Sequence, residues 1–326
     1  MTVIRVVAAA CCAALVVGVA ACGGEDDASS AASGDRHKIT LITGVRGDAF
    51  YGSLACGAQQ AADRLGVTLE VQGPEAWDPA KQTPIVNAVT ADKPDAILIA
   101  PNDDTAMLAP LLQATQAGIE VVLVDTTLKD PSLAASQVTS DNEAAGRLAA
   151  ETVAKEVGGK GSVLTVDVSP GISTTEARVR GFGSGAEAAG LEDLGAQYSA
   201  DDPAKAASIV TSTLAKHPDL KAVFATNTLT GEGAATGLRQ AGRTGDVKLI
   251  GFDANPSGVE ALENGIAQAQ VVLKPLDIGA KGVEQAVAAL EGKPTEEEVL
   301  TGSLVATNDN LKDPEIQKYL YSESCQ

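Results

Sequence analysis

An α/β fold of two doubly wound parallel-sheet lobes is what three features of this 326-residue chain predict. Short apolar runs alternate with helix-period stretches, and that alternation implies parallel sheets with helices on both faces. The runs are unbroken Val, Ile and Leu rather than alternating with polar residues, the mark of strands covered on both sides. A strand-helix-strand unit also occurs twice, over residues 95–125 and 221–253.

The chain opens with Arg5, an apolar stretch over residues 6–21 and the small residues Val19-Ala20-Ala21 before Cys22. A positive start, a short apolar run and small residues at its end describe a signal peptide over residues 1–21. The run is shorter than the roughly 20 residues that a membrane-spanning helix needs. The pattern resembles a bacterial lipobox, which implies acylation of the Cys22 thiol and a mature chain beginning there. Residues 22–37 are rich in Gly, Ser, Ala and Asp without apolar periodicity, so they form a flexible tether outside the cytoplasm.

Beyond the tether, strands are expected over residues 39–45, 67–71, 96–100, 121–124, 163–168, 222–225 and 247–252. Helices are expected over residues 49–65, 105–117, 142–157 and 203–216. In each copy of the repeated unit one strand ends at an asparagine, Asn102 or Asn227, and the next ends at an aspartate, Asp125 or Asp253. Ligands of open α/β sheets bind beyond the carboxyl ends of the strands, so facing lobes bring these four residues to one cleft. Singly, each reads as a turn residue or helix cap.

Composition removes other functions. Lys+Arg number 24 against 43 Asp+Glu, for a net charge of −19, and such a surface repels nucleic acid. The two histidines, His37 and His217, stand in the tether and before Pro218, without partners at metal-ligand spacing and without a serine triad. No catalytic constellation, cofactor or metal is therefore expected. Residues 181–186 fit a GxGxxA pattern, but polar, helix-like residues precede it where a dinucleotide site needs a strand. Close helix packing is the reading there. Of five cysteines, Cys11 and Cys12 leave with the signal and Cys22 carries lipid, so Cys56 and Cys325 remain, bridged or as two thiols.

Aromatic residues are scarce, which singles out Phe50 and Tyr51 at the head of the first helix and Trp77 in the loop after the second strand. Such rings pack against the C–H faces of sugars. Arg178 and Arg180 follow the strand ending at Val168, and one of them is expected to face the cleft as a donor fork opposite the aspartates.

Taken together, Asp48-Ala-Phe50-Tyr51, Gln82, the 95–104 strand-loop, Val124-Asp125, Ser140-Asp141-Asn142, 177–181, 223–227, 250–253 and 277–282 resemble the ribose-binding-protein family. These are the type I periplasmic solute-binding proteins of ABC sugar importers. The resemblance implies a three-segment hinge with crossovers near Ser140, Lys274 and Thr301. One lobe then comprises residues 38–140 and 274–301, the other 141–273 and 302–326. It implies ligand contacts from Asp48, Phe50, Tyr51 and Asp125 in the first lobe and from Arg180, Asn227 and Asp253 in the second, with Trp77, Asn102 and Thr126 beside them. It further implies a monomeric, non-enzymatic receptor that closes on a monosaccharide or small polyol and delivers it to a membrane permease. The alternative is a receptor presenting its ligand to a membrane sensor. Thr126 stands where ribose binders carry arginine, and Leu273, two residues before Pro275, stands where they carry glutamine. Both changes remove hydrogen-bonding capacity, so a ligand other than ribose is expected.

Overall fold

The computed structural model describes residues 36–325. Cys22, the signal segment and nearly all of the tether lie outside the described residues. The first lobe is a six-stranded parallel sheet, built from β1 (Lys38–Ile42), β2 (Thr68–Gln72), β3 (Ala96–Ile99), β4 (Glu120–Val124) and β5 (Ser136–Ser140), with a late strand, β11 (Glu298–Thr301), at its edge. Helices α1 (Ala49–Leu65), α2 (Pro79–Asp92) and α3 (Leu108–Gln116) connect the early strands. β3 is buried at every position, as a strand covered on both faces must be.

The second lobe repeats the plan. It holds α4 (Asn142–Val157), β6 (Ser162–Asp167), α5 (Ser173–Ala188), β7 (Glu192–Tyr198), α6 (Pro203–Lys216), β8 (Ala222–Ala225), α7 (Thr228–Gln240), β9 (Lys248–Phe252), α8 (Pro256–Glu263) and β10 (Ala269–Val272). Its sheet runs β12-β10-β9-β8-β6-β7, in which β12 (Leu304–Ala306) alone is antiparallel. Phe182, Phe224 and Phe252 form the aromatic centre of this core, the first two stacked with centroids 4.5 Å apart. Each ring taken wholly out of water contributes about 1.5–3 kcal/mol.

The helices start and stop on local signals. Asp48 caps α1 by accepting from the Phe50 and Tyr51 amides, and Gly66, with φ of 71°, ends it in the left-handed conformation. Asp141 and Asp202 cap α4 and α6 in the same way. α4 and α5 lie close because Gly181 has no side chain: a Cβ there would stand 2.0 Å from the Glu143 carbonyl oxygen. Gly181 and Gly185, where a Cβ would stand 2.7 Å from Ala150 Cβ, thus serve helix packing, whereas Gly183 does not touch α4.

The chain passes between lobes three times: after Ser140, between Val272 and Pro275, where α9 (Pro275–Leu290) returns to the first lobe, and between Thr301 and Leu304. Residues 302–326, expected with the second lobe, divide. β12 joins that lobe's sheet, whereas the end of the tail beyond α10 (Pro314–Lys318) lies on α1 of the first lobe. The Ser322 amide donates to Ser53 Oγ at 2.9 Å, and Cys325 is disulfide-bonded to Cys56 with Cα atoms 5.3 Å apart. These contacts are the physical reason for the departure. Among the described residues no helix is long and apolar enough to cross a membrane.

Candidate functional site

The site begins at two equivalent strand ends. β4 and β9 are each followed by an aspartate with positive φ, Asp125 at 64° and Asp253 at 75°. The Asp125 amide donates to Val138 O and the Asp253 amide to Val271 O, both at 2.9 Å on the next strand of the sheet. A non-glycine residue held there costs about 1–3 kcal/mol, a strain that the surrounding structure must impose and that gathers at functional sites. Here it turns both carboxylates out of their sheets toward one cavity of about 470 Å³. That volume lies within the range of small-molecule sites, roughly 300–1,000 Å³.

The first lobe supplies the aromatic wall. Phe50 meets Tyr51 edge to face with centroids 5.2 Å apart, and Tyr51 stacks on Trp77 at 6.4 Å. The Tyr51 hydroxyl donates to Asp125 Oδ2 at 2.7 Å, which orients the carboxylate. Trp77 lines the cavity, and its buried Nε1 has no partner among the described residues. The Asp48 carboxylate, occupied in capping α1, also lines the cavity.

The second lobe supplies the cation and an amide. Arg178 is buried; its Nε donates to Asn142 Oδ1 at 2.9 Å and its Nη1 to Thr226 O at 2.7 Å. The guanidinium lies 4.0 Å from the centroid of Phe252, so it is fixed in plane and orientation. Its remaining N–H groups are available to the cavity that Arg178 lines. Asn227 caps α7, and its Nδ2 donates to Asp201 Oδ1 at 2.9 Å. Thr174, Thr175, Asp201 and Thr228, with the apolar Val168, Ile172 and Leu229, line the rest of this wall.

Electrostatics follow from burial. Asp125 is pushed up to about 6 by desolvation, against the opposing pull of the Tyr51 hydrogen bond and the Arg178 charge. Asp253 is likewise pushed up to about 6 by desolvation, opposed by Arg178 and by the Tyr321 hydroxyl. Burial also raises Asp48 and Asp201, while it and the neighbouring carboxylates hold the Tyr51 and Tyr321 phenols well above their ordinary value. Near neutral pH the cavity therefore presents carboxylate acceptors and one buried cation, while the phenols stay protonated and donate to Asp125 and Asp253. Hydroxyl groups, which both donate and accept, match such walls.

Seven of the expected residues line this cavity: Asp48, Phe50, Tyr51, Trp77, Asp125, Asn227 and Asp253. Three do not. Arg180 is exposed to solvent, and Arg178 takes the place expected of it. Residues two apart on a helix lie about 200° apart around its axis, so only one can face inward. Asn102 is buried; Gln82 Oε1 accepts from its backbone amide, and its side-chain amide has no partner among the described residues. Thr126 is also buried, because its hydroxyl donates to Pro101 O at 2.8 Å within the loop packing. Helical phase identifies Arg178, four residues before the fully buried Phe182. Asp201 sits in a polar turn at φ 58°, and no pattern in the sequence marks it out from its neighbour Asp202. Among the described residues no group of three or more His, Cys, Asp or Glu is placed to hold a metal ion.

Residues 39–294 match the family model described as a periplasmic binding protein domain. The ribose import binding protein RbsB of Escherichia coli (strain K12) is 33% identical over 255 residues, covering 78% of this chain and 85% of the relative. A crystal structure of an ABC transporter solute-binding protein from Agrobacterium vitis, bound to α-D-tagatopyranose, has 38% identity and a TM-score of 0.85 over 88% of this chain and all of that one. A second solute-binding protein from that organism, with bound D-fucose, has 32% identity and a TM-score of 0.81 over 87% of this chain and all of that one. These relatives are sugar-binding transport proteins, not enzymes. The chain belongs to the type I periplasmic binding proteins, among the sugar-binding solute-binding proteins of ABC transporters.

Proposed function

We propose that this protein is the substrate-binding lipoprotein of an ABC importer, acylated at Cys22 and acting outside the cytoplasm as a monomer. It closes its lobes on a neutral monosaccharide or small polyol other than ribose and delivers it to a membrane permease. The observation that carries this reading is the lining of one interlobe cavity by the carboxylates of Asp48, Asp125, Asp201 and Asp253, one buried guanidinium at Arg178 and the rings of Phe50, Tyr51 and Trp77. The excess of carboxylates disfavours phosphorylated or acidic sugars, and the rings suit C–H faces. Closure is a hinge motion driven by a ligand that contacts both walls.

The departures from ribose binders carry the ligand choice. The Thr126 hydroxyl is spent on Pro101 O, and Leu273 offers no side-chain donor or acceptor, so two hydroxyl partners of a ribose are missing. Titration calorimetry against D-tagatose, D-fucose and D-ribose tests the reading. Binding of tagatose or fucose, with ribose at least tenfold weaker, is expected; heats at the level of dilution for all three, with no thermal shift, would sink it. Cys22→Ser is expected to release the protein from the membrane fraction, and retention of that variant refutes acylation.

A further inference from the structure

Tyr321 connects regions that the chain otherwise keeps apart. It is buried, and its hydroxyl accepts from the Leu273 amide at 3.1 Å and donates to Asp253 Oδ1 at 3.2 Å. Its ring stands edge-on to Phe50 with centroids 5.5 Å apart, and its own amide donates to Ala254 O at 2.9 Å. One side chain thus touches the aromatic wall of the first lobe, the second crossover and the strained aspartate of the second lobe. A phenol has a single O–H. With the Leu273 amide occupying its acceptor side, that O–H is directed at Asp253. The other carboxylate oxygen, Oδ2, accepts from the Thr228 hydroxyl at 3.5 Å.

The tail bearing Tyr321 is fixed to the first lobe on both sides of it. Before it, the Tyr319 hydroxyl donates to Asp277 Oδ2 of α9 at 2.9 Å. After it come the Ser322 bond to Ser53 and the disulfide between Cys325 and Cys56. The tail lies flush on α1 because residue 52 is glycine: a Cβ there would stand 2.5 Å from Ser322 O.

We propose that Tyr321 is a positioning residue of the binding cleft, orienting Asp253 so that Oδ2 is presented to ligand, and that the Cys56–Cys325 bridge holds the tail where Tyr321 can do so. The proposal rests on the reading of this cavity as a sugar site. Tyr321 lies behind Asp253 and acts through it. The groups facing Asp253 are Arg178 from α5, Asp48 at the head of α1, Thr228 from α7, Asp125 across the cavity and the tail's Tyr321. Among them, Arg178, Tyr321 and the Thr228 backbone amide favour the charged carboxylate.

Tyr321→Phe keeps the ring and removes only the hydroxyl. In the ligand-free protein, carboxyl-carbon NMR with labelled aspartate is expected to place the Asp253 titration midpoint above that of the wild type. Calorimetry with D-tagatose, D-fucose and D-ribose is expected to show about tenfold or greater weakening for each sugar that the wild type binds. The Cys56→Ser/Cys325→Ser double variant, which retains the hydroxyl and guards against a misfolded Tyr321→Phe, is expected to show part of the same midpoint shift. An unchanged midpoint in Tyr321→Phe, or undiminished affinity, overturns the proposal for Tyr321; an unshifted double variant overturns the role of the bridge. If the wild type binds none of the three sugars, the sugar reading fails, while the midpoint, read without ligand, still decides whether Tyr321 positions Asp253.

Discussion

The two lobes share a plan and differ in how each holds its aspartate. Asp125 and Asp253 occupy equivalent strand ends, with the same left-handed backbone and the same amide bond to the adjoining strand. Asp125 is oriented by Tyr51, a residue of its own lobe at the head of α1. Asp253 is oriented by Tyr321, from a tail fastened to the opposite lobe. The remaining contents also divide: rings on the first wall, the cation and a side-chain amide on the second. The aromatic face lies on one wall and the buried donor fork on the other, so a sugar that needs both has reason to draw the lobes together. Repetition of the fold therefore sets where the carboxylates stand, and asymmetry decides what they recognise.

The most damaging way to break that division is to remove the cation. Arg178→Ala leaves Asp125 and Asp253 facing each other across the cavity without the charge that offsets their burial. Breaking a buried charge arrangement in this way costs about 3–5 kcal/mol. Loss of detectable sugar binding is expected by calorimetry, against unchanged binding in Arg180→Ala, whose side chain is in solvent. Equal losses in the two variants would refute the placement of Arg178 as the cleft arginine.

That pair also marks how far the sequence is legible. Helices α1, α4 and α6 are readable to their ends because capping aspartates open them and apolar spacing runs through them. Most interior strands are readable because burial on both faces leaves an unbroken apolar run, though β10, a four-residue strand with Gln270 in it, is not. β7 is not, since it is a half-exposed edge strand with Glu192, Asp193 and Gln197 in it, and neither is β5, which pairs through Ser and Thr. Within the site, residues at strand ends and helix heads are legible because topology alone brings them to the cleft. Choosing between Arg178 and Arg180 needs helical phase, read from Phe182. Asp201 and Tyr321 depend on how a polar turn and a tail fold back, and Tyr321 reaches a partner 68 residues away.

The next effect sharpens the comparison between the aspartates by opposing stability to binding. Both carry folded values of about 6 against an ordinary value of 3.8, raised by burial. The folded state then holds protons that the unfolded chain has released, so their contribution to stability is fully present below about pH 4 and lost as pH rises through about 6. A hydroxyl donor of the ligand needs the ionised form, so affinity is expected to rise over that same interval. Asp125→Asn and Asp253→Asn are expected to raise the denaturation midpoint of the ligand-free protein at pH 7 and to weaken sugar binding by about 1.5–3 kcal/mol each. A variant that loses stability at pH 7 and keeps its affinity would show its carboxylate to be structural. Because Tyr51 donates to Asp125 at 2.7 Å and Tyr321 to Asp253 at 3.2 Å, the internal pair is the tighter, and Tyr51→Phe is expected to move Asp125 further than Tyr321→Phe moves Asp253.

The smallest expected effect concerns the aromatic wall. Trp77 stacks on Tyr51, and its indole nitrogen is buried without a partner among the described residues. Trp77→Phe keeps a ring and removes the N–H; Trp77→Ala removes both. If the ring serves only as a plate for C–H groups, Trp77→Phe retains most of the affinity and Trp77→Ala loses about 1 kcal/mol. If the indole also donates to the ligand, Trp77→Phe falls by a comparable amount. Calorimetry on the two variants separates these outcomes, and no loss in either would remove the loop bearing Trp77 from the binding wall. Because Arg178 and Asn227 are untouched in both variants, a loss confined to them belongs to the first lobe, and its ratio to the loss in Asp253→Asn measures how unequally the two walls contribute.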